Sequence, residues 1–214
     1  VYETKDGDPD LYRHAEGWKK IERVEQGFAV KGHAEQMLTL SFTRHGPVLH
    51  EDTARCRAVA MRTVWHCPGS AAYLGSLSYM RSPSAEAFAD SLGHWGTPSV
   101  SHVSADVEGN IGWFTAGFTP VRRNWQGLLP VPGDGSHEWD GFLPPEELPR
   151  SFNPATGFVA SANEMNLPAD RDPAAPSIGH EWAEGSRARR IKSVLAADRS
   201  HTLAASMALQ TDVY

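Results

Sequence analysis

The sequence predicts an α+β fold in which helices pack against a mainly antiparallel sheet. Three observations lead to this prediction. Short apolar segments bounded by turn residues recur along the chain, as in strands joined by hairpins, whereas two other segments carry apolar residues at helical spacing. The 19 glycines and 15 prolines among 214 residues indicate many turns. A chain of this length can also bury a sizeable core.

The predicted strands share a length of a few residues, apolar or β-branched side chains and flanking turn residues. Residues 44–49 form a turn that leads into a further short strand. In the last predicted strand, Ser161 and Asn163 lie on the same face because side chains alternate. The predicted strands are residues 27–31, 38–42, 58–65, the hairpin 100–107 with 111–116, and 157–163.

Two helices are predicted with distinct boundaries. The first covers residues 82–94, with Ser82 as its N-cap and Pro83 at its first position. The second covers residues 186–198. A third helical pattern starts near Thr202 and reaches the end of the sequence without a C-terminal cap. We therefore interpret residues 1–214 as a single segment of a longer chain, truncated at both ends.

Composition disfavours several classes of protein. The net charge of −6 makes nucleic acid an unfavourable main partner, since such proteins usually carry a basic excess. No run approaches the roughly 20 apolar residues of a membrane-spanning helix, so no membrane span is predicted. The 10 histidines lack the spacing of a zinc site. Residues 122–150 form a long irregular region, a kind that often serves function or clamps another surface.

The two cysteines are predicted to be free and half-buried. If residues 58–65 form one extended strand, Cys56 and Cys67 lie roughly 36 Å apart. A disulfide requires their Cα atoms to lie within about 7 Å. The cysteines therefore give no information about the cellular compartment.

Two polar residues break the local rules of their elements. On a helical wheel Arg187 falls between Val194 and Ile191, inside the apolar face of the second helix, and it stands at the end where the helix dipole disfavours a cation. Arg187 is therefore predicted either to be buried in a polar network or to extend past the apolar face to solvent. Asn163 ends a strand of small residues, where it either closes a turn or offers its amide as a hydrogen-bond donor to an oxyanion.

Seven short motifs occur in one order and together carry a resemblance. The sequence resembles the penicillin acylase (penicillin amidase) family of N-terminal nucleophile hydrolases, which includes cephalosporin and acyl-homoserine-lactone acylases. The resemblance extends from about residue 18 to the end. The motifs are TRHGPV at residues 43–48, ADVEGNIGW at 105–113, LPVPG at 129–133, EWDG at 138–141, NP at 153–154, GFVASAN at 157–163 and RARRI at 187–191.

The resemblance implies a part of the αββα sandwich of these hydrolases, corresponding to the middle of the β chain. The family precursor cleaves itself, and the new N-terminal Ser of the β chain attacks an amide through an acyl-enzyme. The expected partners are the rest of the β chain, the α chain and a small-molecule amide. No cofactor is required, although calcium can be bound in the full-length protein, and the expected location is periplasmic or secreted. Because the nucleophile lies upstream, this segment alone is predicted to be inactive.

The resemblance also assigns candidate site residues. Asn163 corresponds to the asparagine that stabilises the oxyanion, and Arg187 to the arginine that orients it. Ser76, expected just before the first helix, and Val100, on the hairpin, correspond to positions that line the substrate pocket. One departure stands next to the site, since Glu164 occupies a position where relatives often carry asparagine.

Two alternatives remain open at this point. The chain could be a non-catalytic β-rich binding module, in which case Asn163 only caps a turn and the aromatic rings of Trp113, Trp125 and Trp139 form an exposed platform for a glycan or a protein partner. It could also belong to a relative that retains the fold without activity. An acylase instead requires Asn163 and Arg187 within hydrogen-bond distance, at the edge of a cavity.

Overall fold

A computed structural model describes residues 1–198 and 200–212, without the side chains of residues 72–74. The chain divides into two compact units, one of residues 1–68 and 120–141 and the other of residues 69–119 and 142–214. Both α and β elements are present. The strands are β1 (Tyr2–Lys5), β2 (Asp8–His14), β3 (Gly17–Lys20), β4 (Glu22–Phe28), β5 (Gln36–Thr43), β6 (Gly46–Asp52), β7 (Arg57–Ala60), β8 (Val100–Ala105), β9 (Ile111–Ala116), β10 (Pro120–Arg122), β11 (Trp139–Phe142) and β12 (Arg150–Phe152), and the helices are α1 (Ala72–Tyr79), α2 (Ala85–Ser91), α3 (Ser186–Ala197) and α4 (Leu203–Gln210).

The first unit is built on a seven-stranded sheet in the order β3-β2-β1-β7-β6-β5-β4. Every strand pair in this sheet is antiparallel, as predicted. Its buried core consists of Tyr2, Tyr12, Ile21 and Ala58. The predicted strand at 38–42 lies within β5, and the predicted turn at 44–49 leads into β6.

Two strand predictions in this unit were wrong in extent. The strand predicted at 27–31 is the end of β4, which stops at Phe28 before a turn in which His33 N–H donates to the carbonyl of Val30 at 3.0 Å. The strand predicted at 58–65 stops at Ala60, because a 3₁₀ turn begins at Val64 with the Thr63 hydroxyl as its cap. Cys56 and Cys67 are therefore not joined by one strand, but both are free and half-buried.

Glu138 anchors the irregular region of the first unit. Its carboxylate accepts hydrogen bonds from Arg44 and, at 2.6 Å, from Arg62, and it lies 2.9 Å from Nε2 of His45. Burial lowers the pKa of His45, although the Glu138 carboxylate opposes that shift. Two of the sequence motifs, at 43–48 and 138–141, thus meet in one ion-pair cluster.

The second unit contains a three-stranded antiparallel sheet in the order β12-β9-β8. The predicted hairpin is confirmed, with Val100 opposite Ala116 and Ala105 opposite Ile111. Leu92, Trp95 and Phe114 form the core of this unit together with Ala116.

Two polar side chains fix the turn of the hairpin. The Asp106 carboxylate accepts the backbone N–H groups of Glu108, at 3.0 Å, and Asn110, at 2.9 Å. Asn153 donates through Nδ2 to the Asn110 side chain at 2.8 Å and accepts the N–H of Ile111 at 2.9 Å. The motifs at 105–113 and 153–154 are therefore joined through side-chain amides.

The helices follow the predictions in part. Helix α3 lies where it was predicted, and α4 begins directly after its N-cap, Thr202. The first predicted helix instead begins at Ala85, because the hydroxyl of Ser84 rather than Ser82 accepts the N–H of Ala87 at 3.2 Å. It continues as a 3₁₀ turn over Leu92–His94.

Two further differences from the predicted secondary structure concern α1 and residues 157–163. Helix α1 was not predicted. It contains Gly75, and glycine is required there because a Cβ would overlap the carbonyl oxygen of His94. Residues 157–163 form no strand within the described parts of the chain. Among the residues described, no helix combines the length and apolar character needed to cross a bilayer.

His102 on β8 generates a prediction about pH. Its ring packs against Tyr79, Phe88 and Trp95, with centroid distances of 5.1 to 5.7 Å, and its Nε2 has no hydrogen-bond partner among the described residues. Burial lowers the pKa of His102 below its ordinary value, so the unfolded chain binds the proton more readily.

Stability should therefore fall as the pH drops below about 6.5, and the variant His102→Phe should show a weaker decline. The measurement is the thermal unfolding midpoint of the full-length protein and of the variant between pH 7.5 and 5. An equally steep decline in the variant would contradict this role of His102.

Candidate active site

Asn163 adopts a backbone conformation that few residues tolerate. Its φ of +66° lies in the left-handed region, where asparagine is enriched among non-glycine residues. Its carbonyl oxygen accepts the N–H of Ala183 at 2.8 Å. Asn163 therefore marks a sharp change of chain direction after residues 157–162, and its side chain is presented at the surface.

Arg187 holds one end of the Asn163 side chain. From the first turn of α3, its Nη2 donates to Oδ1 of Asn163 at 2.9 Å. Because a guanidinium can only donate, this bond assigns Oδ1 as the acceptor and fixes which end of the amide carries hydrogens. No hydrogen bond within the described residues uses Nδ2 of Asn163, so both of its donors are available.

The prediction that Arg187 is buried in a polar network was wrong, whereas its exposure agrees with the alternative that the side chain reaches solvent. Arg187 is exposed, and the buried residue at the start of α3 is Ala188, which is 4% exposed. The helical wheel placed Arg187 inside the apolar face of α3. It could not show that the first turn points its side chain towards Asn163.

An acidic side chain at the start of α3 compensates for the cation of Arg187. The Glu184 carboxylate accepts the N–H of Ser186 at 2.8 Å and pairs with Arg189 at 2.9 Å. Hydrogen bonds from Ser186 and Arg189 lower the pKa of Glu184 to about 2. A negative charge thus stands at the helix N-terminus, where the dipole favours it.

Glu164 is a buried carboxylate directly after Asn163. The residue is 7% exposed; its Oε2 accepts the N–H of Ala162 at 2.7 Å, and its Oε1 accepts from Nζ of Lys192 at 2.7 Å. Burial by itself would raise the pKa of Glu164, but the hydrogen bonds from Lys192 and from Ala162 outweigh it and the pKa is lowered. Glu164 is therefore ionised at neutral pH.

A cavity of about 620 Å³ lies next to Asn163 in the second unit. Val100 and Thr115 line it from the hairpin, and Trp182 lines it from the segment before α3. Its ionisable lining residues are both carboxylic acids, one of them paired with Lys192 as described above. The complete lining is Ser99, Val100, Ser101, Val103, Thr115, Pro149, Ser161, Asn163, Glu164, Asn166, Ile178, Gly179, Glu181 and Trp182.

The whole chain matches the sequence profile of one known protein family. The sequence profile of the penicillin amidase family matches residues 1–214. The chain belongs to the penicillin amidase family. Its similarity to acylases therefore makes it part of a family of hydrolases that act on amide bonds.

Three curated relatives show how far the similarity extends. Penicillin G acylase of Escherichia coli is 29% identical over 87% of this chain and 22% of its own length. Penicillin acylase 2 proenzyme of a Pseudomonas species is 34% identical over 66% of this chain and 18% of its own length. Acyl-homoserine lactone acylase QuiP of Pseudomonas putida is 29% identical over 91% and 23%, respectively. The chain thus spans about a fifth of the length of these relatives.

A solved structure supports the fold. Thermostable penicillin G acylase from Alcaligenes faecalis superposes on 97% of this chain and 37% of its own chain, with a TM-score of 0.83 and 24% sequence identity. The predicted α+β class, with an antiparallel sheet as part of the N-terminal nucleophile hydrolase fold, is therefore confirmed.

The structure brings three of the four candidate residues of this penicillin amidase segment together. Asn163 and Val100 line the same cavity, and Arg187 contacts Asn163. Ser76 is not among the residues that line it. The prediction that Ser76 lies before the first helix was wrong, since it lies inside α1, a helix that was not predicted.

Sequence reasoning missed several contacts around Asn163. The Glu164–Lys192 pair and the bond from Ala183 to Asn163 depend on how α3 and its preceding segment pack, which residue spacing does not reveal. The sequence contained one signal for the Glu164–Lys192 pair, namely the unusual glutamate at position 164, directly after Asn163.

The burial of the tryptophans disfavours the binding-module alternative. Trp113 is 7% exposed, and Trp125 and Trp139 are half-buried. Two of these rings instead stack with arginine in the first unit, where the Arg62 guanidinium lies 4.4 Å from the centre of Trp139 and that of Arg122 lies 5.2 Å from Trp125. The tryptophans therefore do not form the exposed platform that such a module requires.

Arg187 is expected to contribute little to stability because it is exposed. Replacing it in Arg187→Ala should change the free energy of unfolding of the full-length protein by less than about 1 kcal/mol. Urea unfolding measures this change, and Arg189→Ala, on the same helix, is the matched control. A much larger loss for Arg187→Ala alone would show that Arg187 supports the fold itself.

Proposed function

We propose that this chain supplies the oxyanion-stabilising part of the active site of an amide hydrolase. In this proposal Nδ2 of Asn163 donates a hydrogen bond to the carbonyl oxygen of the substrate as negative charge develops on it. The observation that supports it is the bond from Arg187 to Oδ1 of Asn163, which leaves Nδ2 available beside a cavity.

The proposed reaction needs groups from elsewhere in the full-length protein. We infer that an N-terminal Ser, released when the precursor cleaves itself, attacks the amide carbon while its own α-amine takes the hydroxyl proton. A free α-amine with a pKa near 7.7–8.0 can do so near neutrality. The C–N bond then breaks, the amine leaves with that proton, and water hydrolyses the acyl-enzyme to the acid. On this proposal the segment alone is inactive.

The proposed substrate is a small molecule in which an acyl group is joined to an amine. The named relatives are penicillin and acyl-homoserine lactone acylases, which supports this class without selecting one amine. We propose that Val100 lines the acyl pocket, since it contributes to the cavity at Asn163. The role of Ser76 in substrate binding stays a prediction.

The remaining proposals concern the full-length protein. Its β and α chains are the proposed partners of this segment, and a periplasmic or secreted location is proposed from the family resemblance. The reaction as written requires no cofactor. Within the described residues no group of three or more His, Cys, Asp or Glu side chains is placed to hold a metal ion. Calcium binding by the full-length protein stays a prediction.

Asn163→Ala tests the proposed oxyanion role. In the full-length protein, processed into two chains as verified by intact mass and N-terminal sequencing, the variant should lose about 10²–10³-fold in kcat, because one oxyanion donor is removed. Asn124→Ala, which removes an exposed amide in the first unit, is the control and should retain wild-type kcat.

Near-normal turnover in Asn163→Ala would overturn the proposal. A wild-type protein that is a single unprocessed chain without turnover would favour an inactive relative instead.

Val100 gives a separate prediction about acyl selectivity. Val100→Phe should reduce the space in the cavity, so kcat/KM for long or bulky acyl groups should fall by at least about tenfold relative to short ones. A series of acyl amides of increasing chain length measures this. Val107→Phe changes a fully exposed position of the hairpin turn and should leave the ranking as it is. The same loss for all chain lengths in Val100→Phe would place Val100 outside the acyl pocket.

A further inference from the structure

We propose that Glu164 and Lys192 form a positioning pair for Asn163, so that the oxyanion donor is held through its backbone as well as through its side chain. The inference rests on the proposed function and adds two residues to it. Both are positioning residues rather than catalytic ones, since they act on the substrate only through Asn163.

The Glu164 carboxylate spans the left-handed residue. Its Oε2 accepts the N–H of Ala162, on one side of Asn163, while its own backbone lies on the other side. The bond, 2.7 Å long, closes a small loop around Asn163 and restricts the two backbone torsions of that residue. Since a φ of +66° is sparsely populated, the chain needs such a constraint to remain there.

Lys192 connects this loop to α3. Its Nζ donates to Oε1 of Glu164 at 2.7 Å, from a position five residues after Arg187 on the same helix. One helix therefore fixes both parts of Asn163: Arg187 holds the side-chain oxygen, and Lys192 holds the carboxylate that constrains the backbone. A shift of either contact would rotate Nδ2 away from its position at the cavity.

The charge of Lys192 has a second consequence. The Glu164 side chain is 9% exposed, and it lines the same cavity as Asn163. Burial by itself raises the pKa of Glu164, and the hydrogen bond from Lys192 opposes that rise, so Lys192 keeps the carboxylate ionised and able to accept the N–H of Ala162.

The first experiment measures steady-state kinetics of the full-length enzyme, normalised to active sites by the acyl-enzyme burst. Glu164→Gln and Lys192→Met should each lower kcat by about 10- to 100-fold, as expected when a reacting group is displaced by up to about 1 Å, with KM within about twofold of wild type. Lys192→Arg should restore most of the kcat because it keeps the cation. Arg189→Met removes an equal charge from an exposed position of α3 and is the matched control.

A double-mutant cycle separates positioning from a merely structural role. Because the pair is proposed to act through Asn163, adding Glu164→Gln to Asn163→Ala should cause no further loss of kcat. A multiplicative loss in the double variant would overturn the proposal, as would Lys192→Met with wild-type kcat.

A crystal structure of Lys192→Met tests the positioning without reference to turnover. The bond between Arg187 and Asn163 should be lost or Asn163 should leave the left-handed region. If both features persist, the positioning proposal is overturned even if Asn163→Ala is inactive. Conversely, turnover in Asn163→Ala overturns the proposed function, while the crystal structure still decides whether the pair positions Asn163.

Discussion

The candidate site depends on the docking of α3 against residues 162–164. An amide side chain rotates freely unless one of its ends is held, and a donor that must first be oriented stabilises charge poorly. Here the guanidinium of Arg187 holds Oδ1, and the backbone on both sides is restrained by Glu164 and Ala183. The left-handed Asn163 therefore belongs to a network whose other members come from α3 and from the segment that precedes it.

Several of the charged side chains around Asn163 are paired with opposite charges. Lys192 neutralises the buried Glu164, Glu184 compensates the N-terminus of α3, and Arg189 pairs with Glu184. Arg187 has no such acidic partner among the described residues, and its contact is the neutral amide of Asn163. Arg187 therefore places a cation in direct contact with the amide, whereas Glu181 contributes a carboxylate to the lining of the same cavity.

Local patterns predicted the hairpin and α3 because both depend on residues close in sequence. The apolar spacing after Ser186 fixed the helix, and the Glu-Gly-Asn turn fixed the register that pairs Val100 with Ala116. Contacts distant in sequence could not be derived in the same way. The exposure of Arg187, the close packing that requires Gly75 and the absence of a strand over residues 157–163 all depend on neighbours that periodicity does not specify.

The order of the motifs in the second unit has a structural explanation. Asn153 joins the turn at Asn110 to the chain that leads into residues 157–163, so the hairpin carrying Val100 and the segment carrying Asn163 are tied at one end. Arg187 then ties Asn163 to α3 at the other end. Motifs as far apart in sequence as residues 105–113 and 187–191 thus hold the cavity wall and the amide donor in a fixed arrangement. Because each link is a directed hydrogen bond, a conservative change at Asn153 would disturb the site by shifting the hairpin relative to the segment that carries Asn163. The side-chain amide of Asn163 would itself be unchanged.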